Sequence, residues 1–552
     1  MMQSDKRIIV LKFGSSVLRS EKDLPTAVHE AYRWWRDGFQ VIAVVSAFGN
    51  TTDELTQLAQ SVCDQPHDES VAALLATGEA ASSALLSLAL NRSGIPATVL
   101  DAEQAGLYTD GPILDANLTS IDTANVLKAL SEGIVVLPGF VGKDRTGRTT
   151  LLGRGGSDLT ALFLAQRLGG ACRLIKDVDG LYTGDPNSRT AASVARFVRV
   201  SYATAARVGG AVVQLKAIDF AEQHRLRFFV SSVASGRATE IGPHADLVAL
   251  SEPKAKPLRV VLLGCGTVGG GVYERLAALP ELFKVVGVGT RTTDLEALIA
   301  APCDVVIELL GGEEPARTLV SAALRLGRHV ITANKALLAN DRQTLQTLAA
   351  NNGVAIRYNA AVGGVLPALE TIHRARNVSP LQSISGVLNG TTNFILDQLA
   401  NGADFDDAVL AAQNHGYAER DPRLDLDGTD VAQKLILLAR AAFDVDLPLK
   451  SIQKQGIENL KPGDGRTRLV AECRRESHGF VATVTPVELP LDHPLAHVNG
   501  VENRLIIQFQ NGKTWNVRGG GAGRWPTTEA VVADLLDLRR ESLEEAREEC
   551  VA

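Results

Sequence analysis

One stretch constrains local structure more firmly than any other: LRVVLLGCGTVGGGVYERL, residues 258–276. Its four consecutive apolar residues, Val260 to Leu263, predict a strand buried on both faces. Gly264, Gly266 and Gly269 follow with the spacing G-x-G-x-x-G, and the amphipathic run after them predicts a helix. A strand that turns on glycine into a helix lets backbone N–H groups approach a pyrophosphate, so Thr267 and Val268 join the glycines as candidate dinucleotide contacts. The next predicted strand, FKVVGVGTR, ends in Thr290-Arg291 where an NAD-binding chain usually presents an acid. Arginine there suits the 2′-phosphate of NADP, while a solvated surface arginine is the plain structural alternative.

Further on lies GYAERDPRLDLDGTDVAQK, residues 416–434, in which Glu419, Asp421, Asp425, Asp427 and Asp430 precede a single lysine. Gly428 and Thr429 look like a helix start, and Val431 to Ala442 has helical spacing. Asp430 and Lys434 then sit one turn apart on one face. An exposed ion pair behind a solvated acidic loop is the bland reading. Carboxylates this crowded repel one another unless a cation joins them, as a substrate ammonium would. A partly desolvated lysine can also pass a proton to or from an alcohol.

The first half alternates apolar strands with helical stretches: IIVLKF (8–13), VIAVVSAFGNTT (41–52), IVVLPGF (134–140) and CRLIKDVDGLYT (172–183). This alternation predicts a mostly parallel sheet covered on both faces. The turn after the first strand, Gly14-Ser15-Ser16, has the small residues that allow backbone to meet phosphate, without being a Walker A loop.

At 552 residues the chain has length for several domains, and 45% hydrophobic with 22% charged residues is ordinary for a globular protein. A formal charge of −7 gives no electrostatic case for nucleic acid or an anionic membrane. Six scattered cysteines (Cys63, Cys172, Cys265, Cys303, Cys473 and Cys550) without a C-x-x-C pair suggest free thiols in a reducing compartment. The opening residues show no signal-peptide pattern, and no uninterrupted apolar run is long enough to span a bilayer. The expectation is a cytoplasmic protein acting on small molecules.

The pattern GYAE-x-DP…D-x-x-GxD-x-x-x-K, together with GVLNGTTNFIL at 386–396, resembles the two signatures of homoserine dehydrogenases. The resemblance implies interconversion of L-aspartate 4-semialdehyde and L-homoserine with NADP or NAD. It makes Lys434 the proton donor, with Lys335, in the family-like Ala333-Asn334-Lys335, assisting beside nicotinamide and substrate. Glu419 and Asp430 would hold the substrate ammonium, with Asp425, Asn389, Gly390 and Thr391 also at the substrate and Asn334 and Gly523 near the cofactor. YNAAVGGVLPAL (358–369) resembles a segment whose backbone holds sodium in that family, pointing to Asn359 (in place of an acid), Val362, Gly364 and Leu366.

In the first half, VVSAFGNTTDEL, TGE, GFVG, LLGRGGSD and KDVDGLYTGDP occur in the order that resembles the amino-acid-kinase fold, and aspartokinase within it. This implies ATP- and Mg²⁺-dependent phosphorylation of aspartate. Lys12 would neutralise the transferring phosphoryl group. Ser46, Thr52, Glu79, Arg154, Ser157 and Asp158 would hold aspartate. Gly14, Ser15, Lys176, Asp177, Tyr182 and Asp185 would lie at the nucleotide. Departures are the shortened KFGSSV, which is closer to glutamate 5-kinases, Lys176 before Asp177, Asn187 with Arg189 after YTGDP, and Gln214-Leu215-Lys216 at a later motif. A kinase for another amino acid, or a non-catalytic binding or dimerisation module, are the alternatives for this half.

The expected architecture is α/β. An amino-acid-kinase domain (1–250) is fused to a Rossmann domain (258–385) and an α+β substrate and dimerisation domain (386–500). Residues 501–552 would return to the nucleotide-binding domain and end in a tail, and the assembly would be a homodimer or homotetramer. Roughly 15 residues join the halves, too few for the regulatory ACT domains usual in fused enzymes of this kind, so threonine feedback through such domains is not expected.

Overall fold

A computed structural model describes residues 7–185, 194–210, 212–249, 256–458, 460 and 466–551; Asn187, Arg189 and residues 250–255 of the joining segment lie outside them. The chain divides into two compact units: residues 1–91, 96–255 and 540–552, and residues 92–95 with 256–539.

The first unit is built on a nine-stranded sheet. Within it Ile8–Phe13 pairs in parallel with Gln40–Val45 on one side and the central strand, Ala171–Lys176, on the other. These strands are apolar on both faces, as burial between two helical layers requires. Polar residues therefore cluster at the strand ends: Lys12 and Lys176 are carried to the same edge of the sheet. A separate four-stranded sheet, built from Tyr108–Asp110, Asn117–Ser120, Val141–Lys143 and Thr149–Leu151, lies in the same unit. Helix Asp68–Arg92 is, by length and overall composition, apolar enough to cross a membrane, although its apolar run is not uninterrupted. Glu79, Ser82 and Ser83 interrupt its apolar run in the sequence. In the fold it supplies Ala72 and Leu75 to the core beneath the central strands.

In the second unit five parallel strands take the order Phe283–Gly289, Leu258–Leu263, Val305–Glu308, His329–Thr332, Ile356–Arg357. The order reverses between Leu258–Leu263 and Val305–Glu308, the place where open α/β sheets bind ligands. A six-stranded sheet includes Leu381–Val387, Thr467–Glu476 and Gly479–Glu488. It also takes Glu502–Phe509 and Thr514–Gly520, so the segment from Val501 does not go straight back to the nucleotide-binding sheet. The alternation in ENRLIIQF is what makes it a strand with one buried face. The return is made only by helix Arg524–Val551, whose Glu529 pairs with Arg275 of helix Thr267–Ala277.

Helix Thr429–Phe443 packs on the six-stranded sheet and against helix Ala368–Val378. Eleven of its residues are buried, among them Asp430 and Lys434. Its apolar positions thus anchor two charges inside the unit. Replacing Leu435, 1% exposed in this core, with alanine is expected to cost about 2–5 kcal/mol in denaturant titration. A loss well under ~1 kcal/mol would contradict the packing described.

Candidate active sites

Asp430 is the hub of the second unit. One carboxylate oxygen lies 2.6 Å from Lys335 Nζ and the other 2.9 Å from Lys434 Nζ. Lys434 also donates to the Leu388 carbonyl at 2.7 Å. Asn389 Nδ2 donates to Asp430 at 2.9 Å and to Asp425 at 2.7 Å. Each residue is delivered by a separate local rule. Gly428, left-handed at φ +81, starts the helix and puts Asp430 in its first turn. Lys434 follows one turn later. Asn389 caps helix Gly390–Ala400 through its Oδ1, leaving Nδ2 for the carboxylates. Lys335 opens helix Lys335–Asn351 directly after strand His329–Thr332.

Burial alone would raise Asp430, but the two ammonium groups hold it well below the usual carboxylate range. Asp430, opposed by burial and reinforced by Asp425 and Glu419, raises Lys335. Burial and the neighbouring Asp430 charge push Asp425 up. The two lysines differ in access: the Lys335 side chain is 39% exposed and that of Lys434 only 5%.

Of the five carboxylates in this stretch, Asp425 and Asp430 enter the cluster, and exposed Glu419 acts on it by charge. Asp421 pairs with its exposed neighbour Arg423, and Asp427 serves Lys454 and the Thr429 backbone. Thr391 donates to the Tyr417 carbonyl, tying the GVLNGTTN helix to the start of the acidic loop.

The cofactor loop fits a dinucleotide. A Cβ on Gly264 (φ +93) would meet the Leu309 carbonyl at 2.7 Å, and one on Gly269 the Gly264 carbonyl at 2.0 Å. A Cβ on Gly266 would face open space, the room a pyrophosphate needs. Thr267 and Val268 begin the helix behind this loop. Arg291 is exposed in the turn after Phe283–Gly289, where the Thr290, Thr292 and Thr293 hydroxyls converge. Asn334 is a tie between loops: it caps Leu337, donates to the Gly312 carbonyl at 2.6 Å and reaches Glu308. Glu308, wholly buried and unassigned in the sequence reading, also accepts from Thr332 and Leu310 N–H. Nothing but its place at a strand's carboxyl end signals this. Gly523 is exposed at φ +114, just before helix Arg524–Val551. At the candidate sodium segment Asn359 gives both its backbone N–H and its Nδ2 to Asp534, and the Leu366 carbonyl accepts from Ala368. Gly364 is left-handed, and Val362 is buried.

In the first unit Asp158 has the same bridging role. It lies 2.9 Å from Lys12 and 2.9 Å from Lys176, all three buried. Burial opposes, but the two lysines hold Asp158 below its usual range. Lys176 is pulled down to about 8 by burial and by Lys12. Glu79 is pushed up to about 8 by burial, against the Ala47 N–H and Lys12, and its Oε2 has no hydrogen-bond partner among the described residues.

A cavity of about 580 Å³ opens on this cluster. Lys12, Gly14, Ser15, Ser46, Thr52, Glu79, Arg154, Ser157, Asp158, Lys176 and Asp177 all line it. Tyr182 and Asp185 do not: Tyr182 donates to Asp179, and Asp185 is exposed. The cavity adds Phe140 and Gln214, which no motif marked as contacts. Phe140 is held at φ +68, a conformation uncommon for a bulky residue.

Comparison with known proteins gives three family matches. Residues 7–232 match the amino acid kinase family, 264–359 the homoserine dehydrogenase NAD binding domain, and 367–536 the homoserine dehydrogenase family. The chain is 35% identical over 316 residues to a homoserine dehydrogenase of Synechocystis, covering 51% of this chain and 73% of that one. A Pseudomonas aeruginosa homoserine dehydrogenase is 34% identical (52% and 73%), and one from Lactococcus lactis 36% (51% and 74%).

The loop geometry makes a direct prediction. Gly269→Ala drives a methyl group into the Gly264 carbonyl, so nicotinamide cofactor binding followed by fluorescence should weaken by about ten-fold or more. Unchanged affinity would show that the loop does not hold the dinucleotide.

Proposed function

The chain belongs to the homoserine dehydrogenase family, and from that premise we propose a bifunctional enzyme: the first unit phosphorylates L-aspartate with ATP, and the second interconverts L-aspartate 4-semialdehyde and L-homoserine. The observation that carries the second activity is Asp430 gripping Lys335 and Lys434 beside Asn389 and Asp425.

When bound, the nicotinamide supplies the hydride to the aldehyde carbon or takes it back. Lys434 gives its proton to the developing alkoxide, and Lys335, the more accessible cation, stabilises charge on that oxygen. Asp425 and Glu419 receive the substrate ammonium, whose arrival restores the charge that burial disfavours at Asp425. The Arg291 turn, with its three threonine hydroxyls, supports NADP. No step is assigned to sodium: Asn359 gives its nitrogens to Asp534, and a sodium ion would have to be held by backbone oxygens of this segment.

In the first unit, Lys12 and Lys176, both fixed by Asp158, would neutralise the phosphoryl group, and Mg²⁺ would accompany the ATP phosphates and offset their charge. The unpaired oxygen of Glu79 suits the aspartate ammonium, and Arg154 its α-carboxylate. The intact lysine–aspartate–lysine cluster at the cavity favours catalysis over a binding-only role. The two reactions are not consecutive, since an acyl phosphate must first be reduced to an aldehyde.

Lys434→Met is expected to lower homoserine oxidation about 10²- to 10⁴-fold with the fold intact; near wild-type turnover would overturn the assignment. For the kinase, kcat/KM for aspartate should rise as Glu79 ionises and fall as Lys176 loses its proton, giving a bell centred near pH 8. In Glu79→Gln the acid limb should vanish and the KM for aspartate rise. An unchanged limb would remove Glu79 from substrate binding.

A further inference from the structure

Strand Leu381–Val387 runs antiparallel to Glu502–Phe509, and its last pair sets Val387 opposite Arg504. Continuing that register by one residue sets Leu388 opposite Asn503, but here a side chain takes over from the ladder. Asn503 Nδ2 donates to the Leu388 carbonyl at 3.0 Å. That same carbonyl accepts from Lys434 Nζ at 2.7 Å. Leu388 and Asn389 are the two residues linking this strand to helix Gly390–Ala400. Their peptide orientation therefore decides where the Leu388 carbonyl points, and how Asn389 reaches Asp425 and Asp430.

Asn503 is 0% exposed, and its Oδ1 has no hydrogen-bond partner among the described residues. Gly521 makes room for it, since a Cβ there would come within 1.9 Å of Nδ2. A buried amide with one half unsatisfied costs stability, and a leucine of the same branching would fill the space without that penalty. Packing alone gives no reason for an amide at this position.

We propose that Asn503 is a positioning residue for the dehydrogenase reaction: its N–H fixes the Leu388 peptide so that the carbonyl holds Lys434 and Asn389 meets both aspartates. The inference rests on the reading of Lys434 as the proton-transfer group. Without Asn503 the Leu388 carbonyl keeps Lys434 alone of its two donors, so the peptide that aims Lys434 is held less firmly.

The test is a double-mutant cycle on the full chain, using Asn503→Leu, Asn503→Ala, Lys434→Met and the combined variants. Both Asn503 variants should lower kcat for homoserine oxidation by about ten-fold or more while cofactor KM stays within about two-fold. Asn503→Leu should melt no lower than the wild type, having lost the unpaired oxygen. In the Lys434→Met background, removing Asn503 should cost clearly less than it does in the wild type, because the main group it aims is gone. Wild-type kcat in both Asn503 variants, or the same loss with and without Lys434, overturns the proposal. If Lys434→Met itself keeps wild-type turnover, the underlying reading of Lys434 fails instead, so the two failures are told apart.

Discussion

A single buried aspartate shared by two lysines is the interaction on which each unit depends. Two ammonium groups do not remain charged in a protein interior unless a counter-charge meets them. Asp158 does this for Lys12 and Lys176, and Asp430 for Lys335 and Lys434, in the latter case with one carboxylate oxygen to each lysine. In both cases the aspartate lies in the first turn of a helix, after a glycine in nearly the same left-handed conformation: Gly155 at φ +83 and Gly428 at φ +81. The helix dipole favours the carboxylate at that end, and glycine permits the sharp start. Each triad carries one positive charge in excess, suited to a phosphoryl group in one unit and to a developing alkoxide in the other.

The surroundings give these similar triads different work. Beside Asp158 the cavity is lined by glycines, serines and Arg154, with Glu79 as the lone deeply buried acid awaiting a cation. Near Asp430 the extra carboxylates are Asp425 and Glu419, and the neighbouring parallel sheet ends in a glycine loop that leaves Gly266 open. One setting favours phosphate and a small amino acid. The other favours an amino-acid aldehyde or alcohol next to a dinucleotide.

Much of this was legible in the sequence where the chemistry is local. The G-x-G-x-x-G spacing, the one-turn separation of Asp430 and Lys434, and the Gly428 helix start all depend on residues a few positions apart. Sequence could not rank the five carboxylates of 416–434, because Asp427 is drawn off by Lys454 and Asp421 by Arg423, contacts that only the folded loop creates. The segment after Val501 was expected in the nucleotide domain, yet its alternating residues complete the six-stranded sheet before the last helix returns. Asn503 was invisible for the same reason: its role exists only through the register between two strands more than a hundred residues apart. The apolar helix Asp68–Arg92 reads as interrupted by Glu79, although that glutamate sits where a core helix meets the cavity.

The two aspartates are separated most directly by the pair of activities in Asp158→Asn and Asp430→Asn, assayed in the same preparations. Aspartate-dependent acyl phosphate is trapped as hydroxamate, and homoserine oxidation is followed through the nicotinamide. Asp158→Asn should lose only the first activity and Asp430→Asn only the second. Retention of both activities in either variant would contradict the claim that a lysine-bridging aspartate organises each site.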